Sequence, residues 1–196
     1  MNVIVLCEFS GAVRDAFARK GHRVMSCDLL DTEIPGPHYK GCLFDLDYSG
    51  ADLVIAHPPC TKLAVSGNRH HANTEGRMQA AEFIWKVWNL PVNKLCIENP
   101  VGVINTLLPD MPKPQYIQPY EFGHDASKKT GLWLRGLSKL KATEEVRPRY
   151  VNNMPRWGNQ TDGGHNKLSP GPNRWKDRSR TYAGIASAMA EQWGAI

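Results

Sequence analysis

The sequence predicts an α/β fold, a doubly wound and mostly parallel sheet with helices on both faces. Three observations carry that expectation. Short apolar runs of strand length alternate with longer stretches at helical spacing, a tight glycine turn follows the first run, and polar, proline-rich segments stand where the runs end.

Val3–Cys7 is a continuous apolar run suited to a strand buried on both faces. Gly11–Lys20 follows as a helix with Val13, Ala16 and Phe17 at helical spacing, Ser10 as its N-cap and Gly21 as its stop. His22–Cys27 is the second strand and ends at Asp28. Asp52–Ala56 is the third, running into His57-Pro58-Pro59-Cys60, where two prolines end strand pairing. Gly76–Leu90 predicts an amphipathic helix whose apolar face holds Met78, Ala81, Phe83, Ile84, Val87 and Trp88. Pro91 ends it, and Lys94–Ile97 is a fourth strand that stops at Glu98-Asn99-Pro100. Gln115–Pro119 and Gly131–Leu134 are two further strands, and Tyr182–Trp193 is a closing helix whose small residues permit close packing.

With 196 residues, 41% hydrophobic and 22% charged, the chain reads as one ordinary globular domain. Its parts are a core over 1–140, an irregular basic and aromatic insert over 141–176, and the closing helix over 177–196. No run approaches the ~20 apolar residues of a membrane span, so a cytoplasmic protein without a membrane partner is expected. Cys7, Cys27, Cys42, Cys60 and Cys96 are odd in number and widely spaced, with no Cys-x-x-Cys pair. That argues against a disulfide framework and a zinc cage, and no metal is expected. Lys and Arg outnumber Asp and Glu by 24 to 19, a surplus of +5 that is compatible with a polyanionic partner. From Arg147 onward, Arg149, Arg156, Lys167, Arg174, Lys176, Arg178 and Arg180 are interleaved with Trp157, Trp175 and Tyr182. Such a stretch suits phosphate contacts with base stacking, and equally a solvated loop anchored by its tryptophans.

In an open parallel sheet, ligands collect beyond the carboxyl ends of the strands. Phe9-Ser10-Gly11, Asp28, His57-Pro58-Pro59-Cys60 and Glu98-Asn99-Pro100 all fall there. Asp28 is placed to accept from a ribose hydroxyl pair and Asp45 from an adenine amine, while each also suits a turn or cap. Cys60, on a rigid and partly exposed strand-end loop, is the candidate nucleophile. It needs a lowered pKa, which a helix N-terminus or Lys62, His57 or Lys128 would supply. Cys7 and Cys96, on strands, read as buried small hydrophobes. Glu98 is a carboxylate costly to bury without a partner, and a substrate N–H is its natural one.

In this order these residues resemble the cytosine carbon-5 DNA methyltransferase family. Phe9-Ser10-Gly11 is similar to the family's opening segment, and Pro58-Pro59-Cys60 with Gly67 seven residues on is similar to its Pro-Cys loop. Glu98-Asn99-Pro100-Val101-Gly102 resembles its Glu-Asn-Val segment, and Tyr120–Gly123 with Lys128–Trp133 resembles its later strand pair. The matches span about residues 3–136 and the final helix. The resemblance implies a Rossmann-like methyltransferase sheet, S-adenosylmethionine held by Phe9, Ser10, Gly11, Asp28, Asp45 and Pro58, and a DNA cytosine flipped out of the stack. Cys60 would attack carbon 6, Glu98 would hold the ring nitrogen and amine, and Lys128 or Lys129 would stand in for a family arginine. Ser66, Arg174, Arg178 and Arg180 would contact the nucleic acid.

This sequence departs from the family in its shortened first loop, which lacks a second glycine, and in Ser127-Lys128-Lys129 where the family has Gln-x-Arg-x-Arg. Residues 141–176 also leave no room for the usual target-recognition domain, as in small members encoded by bacteriophages. Other readings are methylation of a free cytosine nucleotide, methylation of an exocyclic amine from the Pro-Pro loop, and a non-catalytic nucleic-acid-binding protein. A zinc deaminase would need a His-x-Glu and a second thiolate, which Thr61-Lys62-Leu63 does not provide.

Overall fold

Seven strands pair into one sheet in the computed structural model, which describes residues 1–72 and 74–195. They are β1 (Asn2–Leu6), β2 (Arg23–Asp28), β3 (His38–Lys40), β4 (Leu53–Ala56), β5 (Leu95–Pro100), β6 (Gln115–Ile117) and β7 (Thr130–Arg135). Across the sheet the order is β3-β2-β1-β4-β5-β7-β6. The first five strands are parallel, and β7 runs antiparallel between β5 and β6. The helices are α1 (Ala12–Arg19), α2 (Asn68–His71), α3 (Glu75–Trp88), α4 (Ile104–Leu107), α5 (Arg174–Ser179) and α6 (Ala183–Gly194).

Strand alternation divides the core in two. Val3 and Val5 of β1, Leu53 and Ile55 of β4 and Cys96 of β5 pack against Val13 and Phe17 of α1 and Ile185, Met189 and Trp193 of α6. Their neighbours Ile4, Leu6, Val54, Ala56, Leu95 and Ile97 point to the other face, where Ala81, Ile84 and Val87 of α3 cover them. The expected α/β sheet with helices on both faces is therefore present. The central strands β1, β4 and β5 have no solvated side, which is why they read as unbroken apolar runs.

Several local expectations change. Glu98, Asn99 and Pro100 do not lie beyond the fourth strand: they continue it, pairing with Leu132, Gly131 and Thr130 of β7. Ser10 is not the N-cap of α1. Gly11 takes that place at φ +72°, and the carboxylate of Glu8 accepts the Val13 and Arg14 N–H groups at 2.6 and 3.2 Å. Met78, expected on the buried face of α3, is 57% exposed, and Arg77 is buried in its stead. Its guanidinium donates to the Lys62 carbonyl and to Asn68 Oδ1, both at 2.8 Å. The insert contains a hairpin, β8 (Arg149–Val151) with β9 (Met154–Arg156), turning through Asn152 and Asn153 at φ +49° and +61°. No helix among the described residues is long and apolar enough to cross a membrane.

Candidate active site

Register places the central pair of side chains. Ala56 of β4 lies opposite Ile97 of β5, so the next residues along the two parallel strands, His57 and Glu98, are neighbours. His57 Nδ1 lies 2.9 Å from Glu98 Oε2, and the two side chains are only 7% and 12% exposed. The His57 N–H donates to the Leu6 carbonyl at 2.9 Å, tying the end of β4 to β1. Asn99 Nδ2 donates to the Pro58 carbonyl at 2.9 Å and pins the proline loop against β5.

Cys60 follows on that loop, half-buried. Its carbonyl accepts from the N–H groups of Leu63 and Ala64, and the chain then crosses to Val101, whose carbonyl accepts from Val65. A Cβ at Gly67 would collide with the Thr61 carbonyl oxygen, so the glycine seven residues after the cysteine is a steric requirement of the loop. Ser66 sits exposed on this turn.

The electrostatics favour a neutral thiol beside an ionised carboxylate. Burial and the charge of Glu98 push the Cys60 pKa up, against the lowering effect of Lys128 and Arg178. Burial also works to raise the Glu98 pKa, but the His57 hydrogen bond and the charges of Lys128 and His57 prevail and hold it below the ordinary value. The two adjacent lysines part company. Lys128 reaches the Cys60–Glu98 side and donates to the Arg178 carbonyl at 2.7 Å, whereas Lys129 lies 4.6 Å over the Tyr116 ring on edge strand β6.

Beside this cluster, a cavity of about 200 Å³ opens at the carboxyl ends of β1, β2 and β3. Leu29, Leu43, Phe83 and Pro59 give it apolar walls, and Asp28 stands in its lining. Asp28 Oδ1 accepts the Leu30 N–H at 2.9 Å. Asp45 is exposed on the turn that carries Leu43 and is not itself in the lining. Pro58 is buried behind Pro59, which forms the wall. Phe9 is buried with its ring 5.8 Å from that of Trp175, and Ser10 Oγ accepts the Ala12 N–H at 3.4 Å.

Trp175 belongs to α5, which this contact sets against the turn after β1. Arg180, just after it, clasps Glu33 through two nitrogens at 2.8 and 2.9 Å and pairs with Asp177. Arg180 is thus engaged within the protein, as are Arg149 with Asp162 and Arg156 with the Asp162 carbonyl. Arg174 opens α5 half-buried, and the charge of Arg178 reaches Cys60.

The structure therefore brings Cys60, Glu98, Lys128 and Arg178 together, with Asp28 in the lining of the adjoining cavity; Phe9, Ser10, Gly11, Asp45 and Pro58 are not among its lining residues. Lys129 lies elsewhere. The roles of Glu8 as helix cap and His57 as partner of Glu98 were missed from the sequence. An acid two residues past a strand and before a glycine turn is a capping signal for the first; only strand register reveals the second.

No protein-family model matches the chain, and no curated protein sequence does. Solved structures do. A prophage-encoded E. coli protein assigned as a DNA modification methyltransferase matches 78% of this chain and 53% of its own, with 17% identity and a TM-score of 0.51. The Entamoeba histolytica methyltransferase EhMeth matches 75% of this chain and 58% of its own, with 14% identity and a TM-score of 0.50. The chain spans just over half the length of these structures. At such identities the likeness is one of fold, and the sheet is that of these methyltransferases.

Proposed function

We propose that this chain is an S-adenosylmethionine-dependent methyltransferase acting on carbon 5 of cytosine in DNA, with Cys60 as nucleophile. The observation that carries the reading is the convergence of Cys60, Glu98 and Lys128 at the ends of β4 and β5, next to a cavity walled by apolar side chains and Asp28.

The cavity fits an adenosine moiety: Leu29, Leu43, Phe83 and Pro59 would hold the flat ring, and Asp28 would accept from ribose hydroxyls. Gly11 lets the backbone turn sharply into α1 beside Phe9, where the rest of the donor would lie. When bound, S-adenosylmethionine supplies an electrophilic methyl group. The chain's own residues prepare the acceptor. Cys60 Sγ, as thiolate, adds to carbon 6 of the base and the C5=C6 π pair becomes available at carbon 5; once carbon 5 carries the methyl group, loss of its proton to water restores the double bond and expels the Cys60 thiolate. Lys128 and Arg178 counter the burial that disfavours the thiolate, and Glu98 accepts from the exocyclic amine to fix the ring over the sulfur. Lys128 takes the place of the family arginine, offering charge without its planar fork. Residues 141–176 stand in for a recognition domain, with Ser66, Arg174 and Arg178 meeting the nucleic acid around the flipped base.

The test is incubation with labelled S-adenosylmethionine and, in parallel, duplex DNA, single-stranded DNA, RNA and deoxycytidine nucleotides. Label is expected at cytosine carbon 5 of DNA. An oligonucleotide carrying 5-fluorocytosine should trap a covalent adduct that the Cys60→Ser variant does not form. Label in none of the substrates overturns the reading; methylation retained by Cys60→Ser excludes attack by the thiolate.

A further inference from the structure

We infer that His57 is a positioning residue for Glu98, fixing one carboxylate oxygen so that the other alone faces the base. This rests on the proposed reaction and adds a residue that the Pro-Cys and Glu-Asn motifs do not contain.

The geometry is specific. His57 Nδ1 lies 2.9 Å from Glu98 Oε2 on adjoining strand ends, and both side chains are almost wholly buried. Facing an ionised carboxylate, Nδ1 must carry the hydrogen, so the imidazole donates and Oε2 accepts. Oε1 is then the oxygen left to the substrate. Held this way, Glu98 is an acceptor and selects a base edge with an N–H donor, which is the exocyclic amine of cytosine and not the carbonyl that uracil or thymine presents there.

A second observation separates this role from packing. His57 Nε2 is buried with no hydrogen-bond partner among the described residues. A side chain needed only to join β4 to β5 would do so better as an apolar residue of similar size, without an orphaned nitrogen. The imidazole's return is its bond to Glu98. The groups facing the pair are Glu8 behind β1, Cys60 on the following loop, Lys128 ahead of β7 and Arg178 on α5. Lys128 also lowers the Glu98 pKa, and loss of His57 leaves a buried carboxylate with the lysine charge alone.

The experiment compares wild type with His57→Asn, whose amide nitrogen reproduces the Nδ1 donor, and His57→Leu, which removes it. Carbon NMR of glutamate-labelled protein, assigned with Glu98→Gln, follows the Glu98 titration without requiring turnover. In parallel, kcat and KM for methyl transfer are measured against pH. For His57→Leu the Glu98 midpoint should rise, the acid limb of kcat should move up with it, and kcat should fall about tenfold or more with KM for S-adenosylmethionine unchanged. His57→Asn should restore the midpoint and most of kcat. A Glu98 midpoint equal in all three proteins overturns the inference, as does equal loss of kcat in both variants. A wild-type protein that methylates nothing overturns the proposed reaction instead, and the NMR titration still decides whether His57 controls Glu98.

Discussion

Trp175 lays its ring 5.8 Å from that of Phe9, tilted by 56°, so a helix from the far end of the chain covers the first turn after β1. The contact is reinforced by Arg180 on Glu33, whose backbone N–H in turn donates to the Phe9 carbonyl at 2.8 Å. Replacing Trp175 by Ala should expose Phe9 and release α5 while leaving the sheet intact. The expected outcome is proteolytic cleavage within residues 168–181 at lower protease concentration, a melting temperature within a few degrees of wild type, and S-adenosylmethionine affinity lowered several-fold. Unchanged proteolysis would show that the strap is held without the tryptophan.

The Arg180–Glu33 clasp should also open with acid. Arg180's hydrogen bonds hold the Glu33 pKa below its ordinary value, so the pair contributes above the unfolded-state pKa of about 4.3 and is lost as pH falls through the lower folded value. Protection of the segment from protease, measured with an acid-active enzyme, should therefore persist at pH 5 and fail only below about pH 4.3. Glu33→Gln should show the open pattern already at neutral pH.

The neighbouring lysines offer a cleaner comparison. Lys128 acts on both Cys60 and Glu98, while Lys129 rests on Tyr116 at the sheet edge. Lys128→Ala should lower kcat by about 10²-fold, within the range for a group that stabilises developing charge, and raise the pH needed for adduct formation with a 5-fluorocytosine oligonucleotide. Lys129→Ala should stay within a factor of about two, since a surface cation–π contact contributes only about 0.5–1 kcal/mol to stability. Equal losses would mean that the loop adopts another arrangement on substrate.

How much of this was legible depended on which force made each element. β1, β4 and the Leu95–Ile97 half of β5 are near-continuous apolar runs because both faces of the sheet are covered, and that pattern is local. β3 is only His38-Tyr39-Lys40, held by pairing with β2 and by the 2.8 Å contact of Ser26 Oγ with His38 Nδ1, so nothing apolar announces it. The β8–β9 hairpin left a signal in Asn152-Asn153, two residues that tolerate positive φ, but its strands lack a buried face. Cys60 and Glu98 could be brought together from topology alone, since both follow strand runs that meet at one end of the sheet. Which lysine reaches them, and that His57 lies against Glu98, depend on register and side-chain direction, which no short-range pattern encodes.

Glu8 carries a prediction about pH with the opposite sign to Glu33. Burial raises its pKa, against the lowering effects of His57 and of the Val13 and Arg14 N–H groups it caps. A carboxylate with a folded pKa above the unfolded one binds its proton more tightly in the native state. Wild type therefore gains stability as pH falls from the raised value toward about 4.3, below which the gain is complete. Glu8→Gln cannot titrate. Urea midpoints of the two proteins should diverge in favour of wild type between pH 7 and about 4.5; a constant difference would mean that Glu8 titrates alike in both states. Glu8→Ala, which orphans two buried N–H groups, should cost about 1–3 kcal/mol at neutral pH and diverge further from wild type as pH falls.

Arg14 is the most deeply buried charge in the fold, and its bonds explain the shape of the loop beyond β2. The guanidinium donates to Ser26 Oγ at 3.3 Å, Thr32 Oγ1 at 3.0 Å and the carbonyls of Ile34 and Pro35 at 3.0 and 3.1 Å, and pairs with Asp15 at 2.9 Å. It thereby holds residues 32–35, with no helix of their own, against α1. Arg14→Met keeps the length and removes every donor, so the Pro35 carbonyl loses its partner while Ser26 keeps His38 and Thr32 and the Ile34 carbonyl keep each other. The expected cost is about 3 kcal/mol or more by urea denaturation. Arg14→Lys should fall between, because one ammonium cannot serve acceptors spread around a planar fork. Since Asp28 and Leu29 line the cavity immediately before this loop, both variants should also weaken S-adenosylmethionine binding measured calorimetrically, in the same order as they lose stability. Binding that survives Arg14→Met intact would show that the cavity is built without the loop, and would place the adenosine elsewhere in the crevice.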